Sequence, residues 1–420
     1  MSKILIIITL TYPYDTGNNF LANEYDAIND NYDEIIVFCL AAPQNKVLAH
    51  KLSDKWQVFY KTEVQNGFAR KIKYLFLGIR YLNNSDLKTE LNEAKTLFQK
   101  LVAVYYYGRL MHCEKFINDN IPKIPLEKDD QIIIYSFWFL QTANCAALLK
   151  KYFNKRVECK IIAVSRAHGY DLYEYRNKAN YLPFRKTVME NLDMIYPCSK
   201  NGEIYLAEKY SNYSDKIKCS YLGSFDHGIN SLSQNKIFTI VTCSNIISVK
   251  RVGLLAEALL ELEEQGITDI QWICIGDGDL KQEVMHYCRE NIKLIKVQFL
   301  GYIPNKEVFE LYKKQRVDAF LNTSSSEGLP VSIMEAQSQG IPVIATDVGG
   351  TSEIVNSDNG VLLSHNPSPR EIAEAILFVK NMSNEVVESL RVINRNNWEK
   401  NFNARHNYQK FHNTLSKLNV

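Results

Sequence analysis

The chain has 420 residues, of which 46% are hydrophobic, 11% aromatic and 23% charged, with 18 glycines and 11 prolines. This is more chain than one hydrophobic core usually organises, and the composition excludes disorder, collagen-like repeats and low-complexity scaffolds, so two globular domains are expected. Lysine and arginine total 49 against 47 acidic residues, a net charge of +2, which provides no bulk basic field for nucleic acid and leaves any anionic ligand to a local site.

The amino terminus, MSKILIIITLTYPYD, carries a short apolar run that leads into Tyr-Pro-Tyr-Asp rather than a small-residue cleavage site, so it reads as a buried strand over Lys3–Leu10. Further short β-rich runs follow at Glu34–Cys39, Gln131–Tyr135, Lys160–Val164 and Met194–Pro197. A second series comprises Phe238–Cys243, Gln271–Ile275, Lys296–Leu300, Ala319–Asn322, Pro342–Ala345 and Gly360–Leu363. Longer segments of helical period separate them, the pattern of parallel sheets with crossover helices. The fold class is therefore α/β, with two Rossmann-like halves. The polar, glycine-containing stretch Gly223–Lys236 (GSFDHGINSLSQNK) suits a linker. This places a first domain at residues 1–222 and a second at 237–397, with the amphipathic tail 398–420 expected to complete the first.

Residues 66–116 interrupt the alternation with a mostly helical stretch, in which Tyr74, Leu75, Phe76, Leu77, Ile79, Tyr81 and Leu82 are interleaved with Arg70, Lys71, Lys73 and Arg80. A helical hairpin packed on the first domain is one reading, and peripheral contact with an anionic membrane is the other. No stretch reaches the ~18 uncharged apolar residues of a spanning helix. The nine cysteines are scattered singly without a Cys-x-x-Cys pair, which fits reduced core thiols in a cytoplasmic protein, with contact at the inner face of the membrane left open.

The chemistry concentrates in Asn322–Val355, NTSSSEGLPVSIMEAQSQGIPVIATDVGGTSEIV. A strand ends near Asn322, a Ser/Gly loop follows, and a helix starts near Leu329–Pro330, since proline suits a first helical turn. Loop amides and a helix N-terminus converge there, a natural seat for phosphate or sugar hydroxyls. Glu327 precedes that helix and Glu335 lies two turns into it. Carboxylates accept hydrogen bonds from hydroxyls, so Glu327 suits a hexose and Glu335 a ribose diol. The turn Asp347-Val348-Gly349-Gly350-Thr351 supplies a second amide-rich loop at the same crevice.

These residues, EGLPVSIMEA with its E-x7-E pair followed by GIPVIATDVGGTSEIV, resemble the donor-site signature of retaining GT-B glycosyltransferases of family 4. The resemblance continues upstream through SNIISVKRVGLLAEAL, IGDGDL and FLGYIPNKEVFELY, and covers nearly all of the second half. In the first half TYPYDTGNNFLANE, IYSFWFLQTA, SRAHGYDLYEYR and YPCSKNG are similar to acceptor-domain landmarks, and WEKNFNARHNYQKF resembles the family's closing helix, which returns to the first domain.

The resemblance implies a GT-B architecture, two Rossmann-like domains facing across a cleft that closes during turnover. It further implies transfer of a hexose or N-acetylhexosamine from a nucleoside diphosphate sugar to a glycan or lipid-linked saccharide, in bacterial surface polysaccharide assembly. Lys250 and Arg251 would neutralise the donor diphosphate, and Glu335 would bind ribose. Glu327, with the amides near Gly328 and Leu329, would hold the sugar. Gly17, Gly301 and Tyr302 would line the donor site, and His168 would lie near the transferred sugar. Arg166 and Asp171 would orient His168 or serve the acceptor, with Tyr14 a further acceptor-side candidate.

Fixed cations and aligned amides stabilise a leaving diphosphate without a metal, so neither metal nor other cofactor is expected. Asp277-Gly278-Asp279 imitates the metal-binding D-x-D of the other major glycosyltransferase fold, but it reads equally as a turn into a helix. His227, His286, His365 and His406 lack metal-ligand spacing. The chain departs from the family in carrying Asn245 where an arginine often stands, and Arg251 where a small residue is usual. A nicotinamide dehydrogenase is disfavoured because no G-x-G-x-x-G follows either first strand. A sugar-nucleotide epimerase of the same fold and a catalytically silent binding subunit remain the alternatives.

Overall fold

The computed structural model describes residues 2–14, 20–63, 67–124, 126–230 and 237–418. The chain divides into two compact units, one running to Ser220 and resuming at Tyr408, the other spanning Tyr221–Asn407. The first unit contains β1 (Lys3–Thr9), α1 (Tyr25–Asn31), β2 (Glu34–Ala42), β3 (Trp56–Thr62), α2 (Gly67–Ile79), α3 (Ser85–Glu93), α4 (Leu97–Asn120), β4 (Gln131–Ser136), α5 (Gln141–Phe153), β5 (Lys160–Ala167), α6 (Arg185–Asn191), β6 (Met194–Pro197) and α7 (Lys200–Lys209). The second contains β7 (Phe238–Cys243), α8 (Gly253–Glu264), β8 (Ile270–Ile275), α9 (Lys281–Asn291), β9 (Lys296–Gly301), α10 (Asn305–Lys314), β10 (Ala319–Asn322), α11 (Val331–Ser338), β11 (Val343–Thr346), β12 (Gly360–Leu363), α12 (Pro369–Lys380) and α13 (Asn384–Asn401). The last helix, α14 (Ala404–Leu415), carries the chain from the second unit back into the first.

Each unit is built on a six-stranded sheet, ordered β3-β2-β1-β4-β5-β6 in the first and β12-β11-β10-β7-β8-β9 in the second. Among the described residues the strand pairings within both sheets are parallel, with Ile6 of β1 opposite Ile36 of β2 and Ile134 of β4. Both orders are doubly wound. The chain reverses direction between β1 and β4, and again between β7 and β10, and crevices that bind ligands form at such switch points.

The central strands are buried on both faces, which is why they read as unbroken apolar runs rather than as alternating ones. Ile4, Ile6 and Ile8 pack among buried residues of α4 and α5. Leu5 and Ile7 join a second cluster that includes Phe411 and Leu415 of α14. Strand β3 escapes the sequence reading because it is a half-exposed edge whose seven residues, WQVFYKT, mix polar and apolar types without a continuous core run.

The return of α14 rests on a buried polar cluster. Glu24, Arg166 and His412 are all fully buried. One carboxylate oxygen of Glu24 lies 3.1 Å from Arg166 Nε, and the other lies 2.9 Å from His412 Nε2. The Tyr135 hydroxyl donates to Glu24 and accepts from Arg166 Nε at 3.1 Å, and the Tyr32 hydroxyl is 3.2 Å from His412 Nδ1. One neutral tautomer satisfies both contacts of the imidazole, with Nε2–H donating to Glu24 and Nδ1 accepting from Tyr32. Phe411 completes the seat, its ring centroid 3.9 Å from the Arg166 guanidinium.

Two expected boundaries shift. The return was expected to begin at Trp398, but this residue belongs to the second unit, where its indole N–H donates to Ser224 Oγ at 2.8 Å. Nor is the described part of the expected linker a free tether. Buried Asn230 donates to the carbonyls of Tyr312 and Gln315 and accepts from Arg391 at 2.8 Å, which fastens it to the second unit. Residues 231–236 of that linker lie outside the described residues.

Burial lowers the affinity of His412 for a proton despite the adjacent Glu24 carboxylate. The folded value lies below the ordinary 6.5, so the stability contributed by this histidine is present above that pH and declines as the pH falls through it. His412→Ala is expected to lower stability by about 2–3 kcal/mol at pH 8, with the gap from wild type narrowing below pH ~6. Urea unfolding at the two pH values measures both effects.

Candidate functional site

The second unit gathers its candidate residues at the carboxyl ends of β7 and β10, on the two sides of its switch point. After β7 the chain makes a short 3-10 turn at Ser248–Lys250, and Arg251 follows in the left-handed region at φ 46°. After β10 comes the loop to Pro330, which caps α11. The two connections are stitched together. Ser325 N donates to the Val249 carbonyl at 2.8 Å, and Thr323 Oγ1 donates to the carbonyls of Lys250 and Arg251 at 3.0 Å each.

Lys250 Nζ lies 2.6 Å from Glu327 Oε1. Asn322, at the end of β10, donates to the same oxygen at 3.3 Å, and its own carbonyl oxygen accepts from Ser324 N at 2.9 Å. Glu327 is 7% exposed. Burial alone would push its carboxyl up, but the Lys250 ammonium and the Asn322 amide outweigh burial and hold it below the usual carboxylate range. A charged lysine and a carboxylate thus stand together at the mouth of α11. The loop after β11 closes on them. Gly350 N donates to the Gly328 carbonyl at 2.9 Å, and Gly349 adopts φ 56° where a Cβ would run into the Glu327 carbonyl oxygen. Only glycine meets both demands at that position.

Glu335, one turn along α11, is half-buried and accepts from Asn305 Nδ2 at 2.8 Å. Burial raises its pKa to about 7. The remaining donor-side residues are placed as follows. Leu329 is buried and Tyr302 is 63% exposed. Gly301 sits at φ 71° at the end of β9, its carbonyl accepting from Gly276 N at 2.8 Å. Gly17 lies outside the described residues.

Arg251 does not join Lys250. Its guanidinium donates to the carbonyls of Thr323, Ser324 and His365 and to Asn366 Oδ1, all between 2.7 and 3.0 Å. It is a strut between the loops after β10 and β12, and all four of its acceptors are neutral. In the D-G-D turn, Asp277 pairs with Lys281 at 2.8 Å and accepts from Gly278 N at 2.9 Å.

In the first unit His168 follows β5, its ring between Phe137 and Trp138 with centroids 4.7 and 4.6 Å away. Its Nδ1 and Nε2 are both buried and have no hydrogen-bond partner among the described residues. Asp171 sits behind it, accepting from His168 N at 2.8 Å and from Phe139 N at 2.6 Å, with its Oδ2 3.6 Å from His168 Nδ1. Burial would raise this carboxyl, but His168 and the two backbone donors hold it low. Asp171 is 1% exposed and anchors the backbone of the loop that carries His168. Arg166, expected on the acceptor side, is fully buried against Glu24. Tyr14 is also buried, beside Cys39 and Ala42 and edge-on to Tyr60 at 5.8 Å. The acceptor-side assignment of Arg166 is therefore corrected.

Asn322 and Asn305 were missed. Asn322 carried a signal, a polar residue ending the buried run AFLN. Asn305 carried none, because its partner Glu335 is 30 residues away on another helix.

Residues 228–401 match the family model of Glycosyl transferases group 1. The GtfA subunit of the UDP-N-acetylglucosamine–peptide N-acetylglucosaminyltransferase of Streptococcus parasanguinis is 24% identical over 189 residues, 44% of this chain and 36% of that protein. The Escherichia coli O-antigen biosynthesis glycosyltransferase WclY is 26% identical over 247 residues, 54% of this chain and 64% of that protein. This chain thus spans about a third of the length of the streptococcal relatives it matches. Anabaena HepE in complex with UDP and glucose superposes over 100% of both chains with a TM-score of 0.64 at 15% identity. The sucrose-phosphate synthase of Thermosynechococcus elongatus superposes over 99% of this chain and 98% of its own, with a TM-score of 0.69 at 14% identity. The two parallel sheets with flanking helices share the GT-B fold of these neighbours, and the family-model match falls within the second unit.

Removing one partner of the Lys250–Glu327 pair should have unequal effects. Lys250→Ala strands a buried carboxylate and is expected to reduce stability by about 3 kcal/mol at pH 7, whereas Glu327→Gln leaves a lysine that can turn to solvent and should lose about 1 kcal/mol. Because the wild-type carboxyl is held low, the pair contributes above the ordinary carboxylate range and its contribution is lost as the pH falls. The Lys250→Ala deficit should therefore hold from pH 7 to pH 5 and shrink only as the pH falls below about 4.5 in denaturant titrations.

Proposed function

We propose that the chain is a retaining, metal-independent glycosyltransferase of the family 4 type. It moves a hexose or N-acetylhexosamine from a nucleoside diphosphate sugar to a glycan or lipid-linked saccharide, in bacterial surface polysaccharide assembly. The observation that carries this reading is the buried Lys250–Glu327 pair at the switch point, 2.6 Å apart at the start of α11 within the matched domain. UDP is the nucleotide we favour, since HepE was crystallised with UDP-glucose and the streptococcal relatives are named for UDP-N-acetylglucosamine.

In the proposed reaction the bond from the anomeric carbon to the diphosphate oxygen breaks as the acceptor hydroxyl oxygen bonds to that carbon on the same face. The hydroxyl proton passes to the departing phosphate. Charge grows on the diphosphate, and the Lys250 ammonium with the first amides of α11 is the fixed positive group available to stabilise it. Glu327, held ionised, accepts hydrogen bonds from sugar hydroxyls, and Glu335 accepts from the ribose diol. In the first unit His168 is the residue we assign to substrate, because both nitrogens of its ring are buried without a hydrogen-bond partner among the described residues, while Asp171 accepts from its backbone N–H.

Thermal-shift titration with UDP-, GDP- and ADP-sugars tests the donor assignment, since a ligand that binds only the native state raises the melting midpoint. UDP-sugars are expected to raise it most. Affinity should rise with pH through about 7 as Glu335 ionises, and in Glu335→Gln this pH dependence should vanish while affinity falls about tenfold. The Gln variant should also be more stable than wild type without ligand at pH 8, and less so at pH 5, because the raised folded value makes the charged form unfavourable as the pH rises.

Transfer or hydrolysis of the preferred donor is expected to persist in EDTA and to fall about 10²–10³-fold in Lys250→Ala. Donor binding without any turnover would select the silent-subunit reading, and interconversion of the donor sugar with its epimer the epimerase reading.

A further inference from the structure

We propose that the outward face of α2 is a docking surface for an anionic lipid bilayer. Helix α2 is fastened to α4 by its opposite face. A Cβ at Gly78 would run into the Val104 carbonyl, and one at Gly108 into the Tyr74 carbonyl, so the two backbones touch along successive turns of an antiparallel pair. The Tyr74 hydroxyl donates to Glu63 and secures the same side. This contact fixes which face of α2 remains open.

The open face is apolar. Phe68, Ile72, Phe76 and Ile79 recur at intervals of four, four and three residues, a single helical stripe. Phe68 is 79% exposed and Phe76 65%. The antiparallel pairing brings the first turn of α4 toward the end of α2, and there Leu97 and Phe98 are also exposed. Isolated exposed apolar residues are ordinary, but a contiguous stripe of large ones marks an interaction surface.

Charge selects the occupant. From Gly67 to Asn84 the sequence has four basic residues, Arg70, Lys71, Lys73 and Arg80, and no acidic one. At 100° per residue Lys73 and Arg80 border the stripe on one side and Lys71 borders it on the other. Among the described residues these three make no ion pair, while Arg70 lies 3.9 Å from Glu63. An apolar stripe flanked on both sides by long cationic side chains suits a helix lying in the plane of an interface, with aromatic rings below the headgroups and ammonium groups among the phosphates. A protein partner would have to match cations on both flanks with acids. A second copy would place the same cations against each other in a two-fold contact. Among the described residues no helix is long and apolar enough to cross a membrane, and the contact proposed is one of lying on the surface.

Flotation of the full chain with vesicles tests this independently of any transfer reaction. Binding is expected to phosphatidylcholine vesicles containing a third phosphatidylglycerol and not to phosphatidylcholine alone, and it should weaken severalfold when salt is raised from about 0.1 to about 0.5 M. The doubly substituted Phe68→Ser/Phe76→Ser chain should bind about tenfold less, and Lys71→Glu/Lys73→Glu should lose the preference for anionic lipid. Both variants should keep the wild-type melting midpoint, because the altered side chains are exposed. The proposal is overturned if wild type fails to float with anionic vesicles or if the Phe variant binds as well as wild type. It is also overturned if sedimentation shows a wild-type dimer that the Phe variant abolishes while neither binds vesicles, since the stripe would then be covered by a second copy.

Discussion

In each sheet the connections after the two central strands leave in opposite directions, and the gap this opens at their carboxyl ends is the constraint on which the rest of the structure depends. In the second unit these strands are β7 and β10. Because both run parallel and end together, a lysine a few residues beyond one and a glutamate a few residues beyond the other are brought within an ion pair of each other. The bonds from Ser325 to Val249 and from Thr323 to Lys250 and Arg251 make the two connections one rigid object. The chain's own hydrogen bonds thus hold the lysine and the carboxylate in place, which is the condition under which fixed dipoles and cations act without reorganisation.

That preorganisation uses ionisable groups in two opposite ways. Glu327 is buried but compensated and stays ionised below the ordinary range, whereas Glu335 is half-buried with only an amide partner and is raised to about 7. Two carboxylates on one short segment thus differ in state near neutrality because one has a cation and the other does not. Arg251 shows that adjacency in sequence is no guide to shared work. Its left-handed backbone turns the side chain away from Lys250 and into four acceptors on neighbouring loops.

The first unit solves a different problem, how to cover a sheet face with a helix from the far end of the chain. Glu24 is the centre of that arrangement, since its two oxygens face Arg166 from β5 and His412 from α14. A buried ion pair is a weak source of net stability, but it is intolerant of losing one member. This fits a contact that must specify where one helix seats. It also explains why Arg166, in a stretch rich in polar residues and near His168, looked like an acceptor residue when only the sequence was in view.

By itself the sequence determined the strand series, because buried parallel strands must be apolar on both faces and so announce themselves as runs such as KILIIIT and QIIIYS. It likewise determined that Glu327 and Glu335 share one helix end, since their spacing is local. The edge strand β3 was hidden because half-exposed edges carry no such run. Only the tertiary structure decided the partners, because these are set by contacts across tens to hundreds of residues that no local pattern encodes. Lys250 reaches Glu327 across 77 positions, Asn305 reaches Glu335 across 30, and Glu24 reaches His412 across 388. The sequence supplied the chemistry of each side chain, and the parallel sheet, by bringing its strand ends together, decided which of them meet.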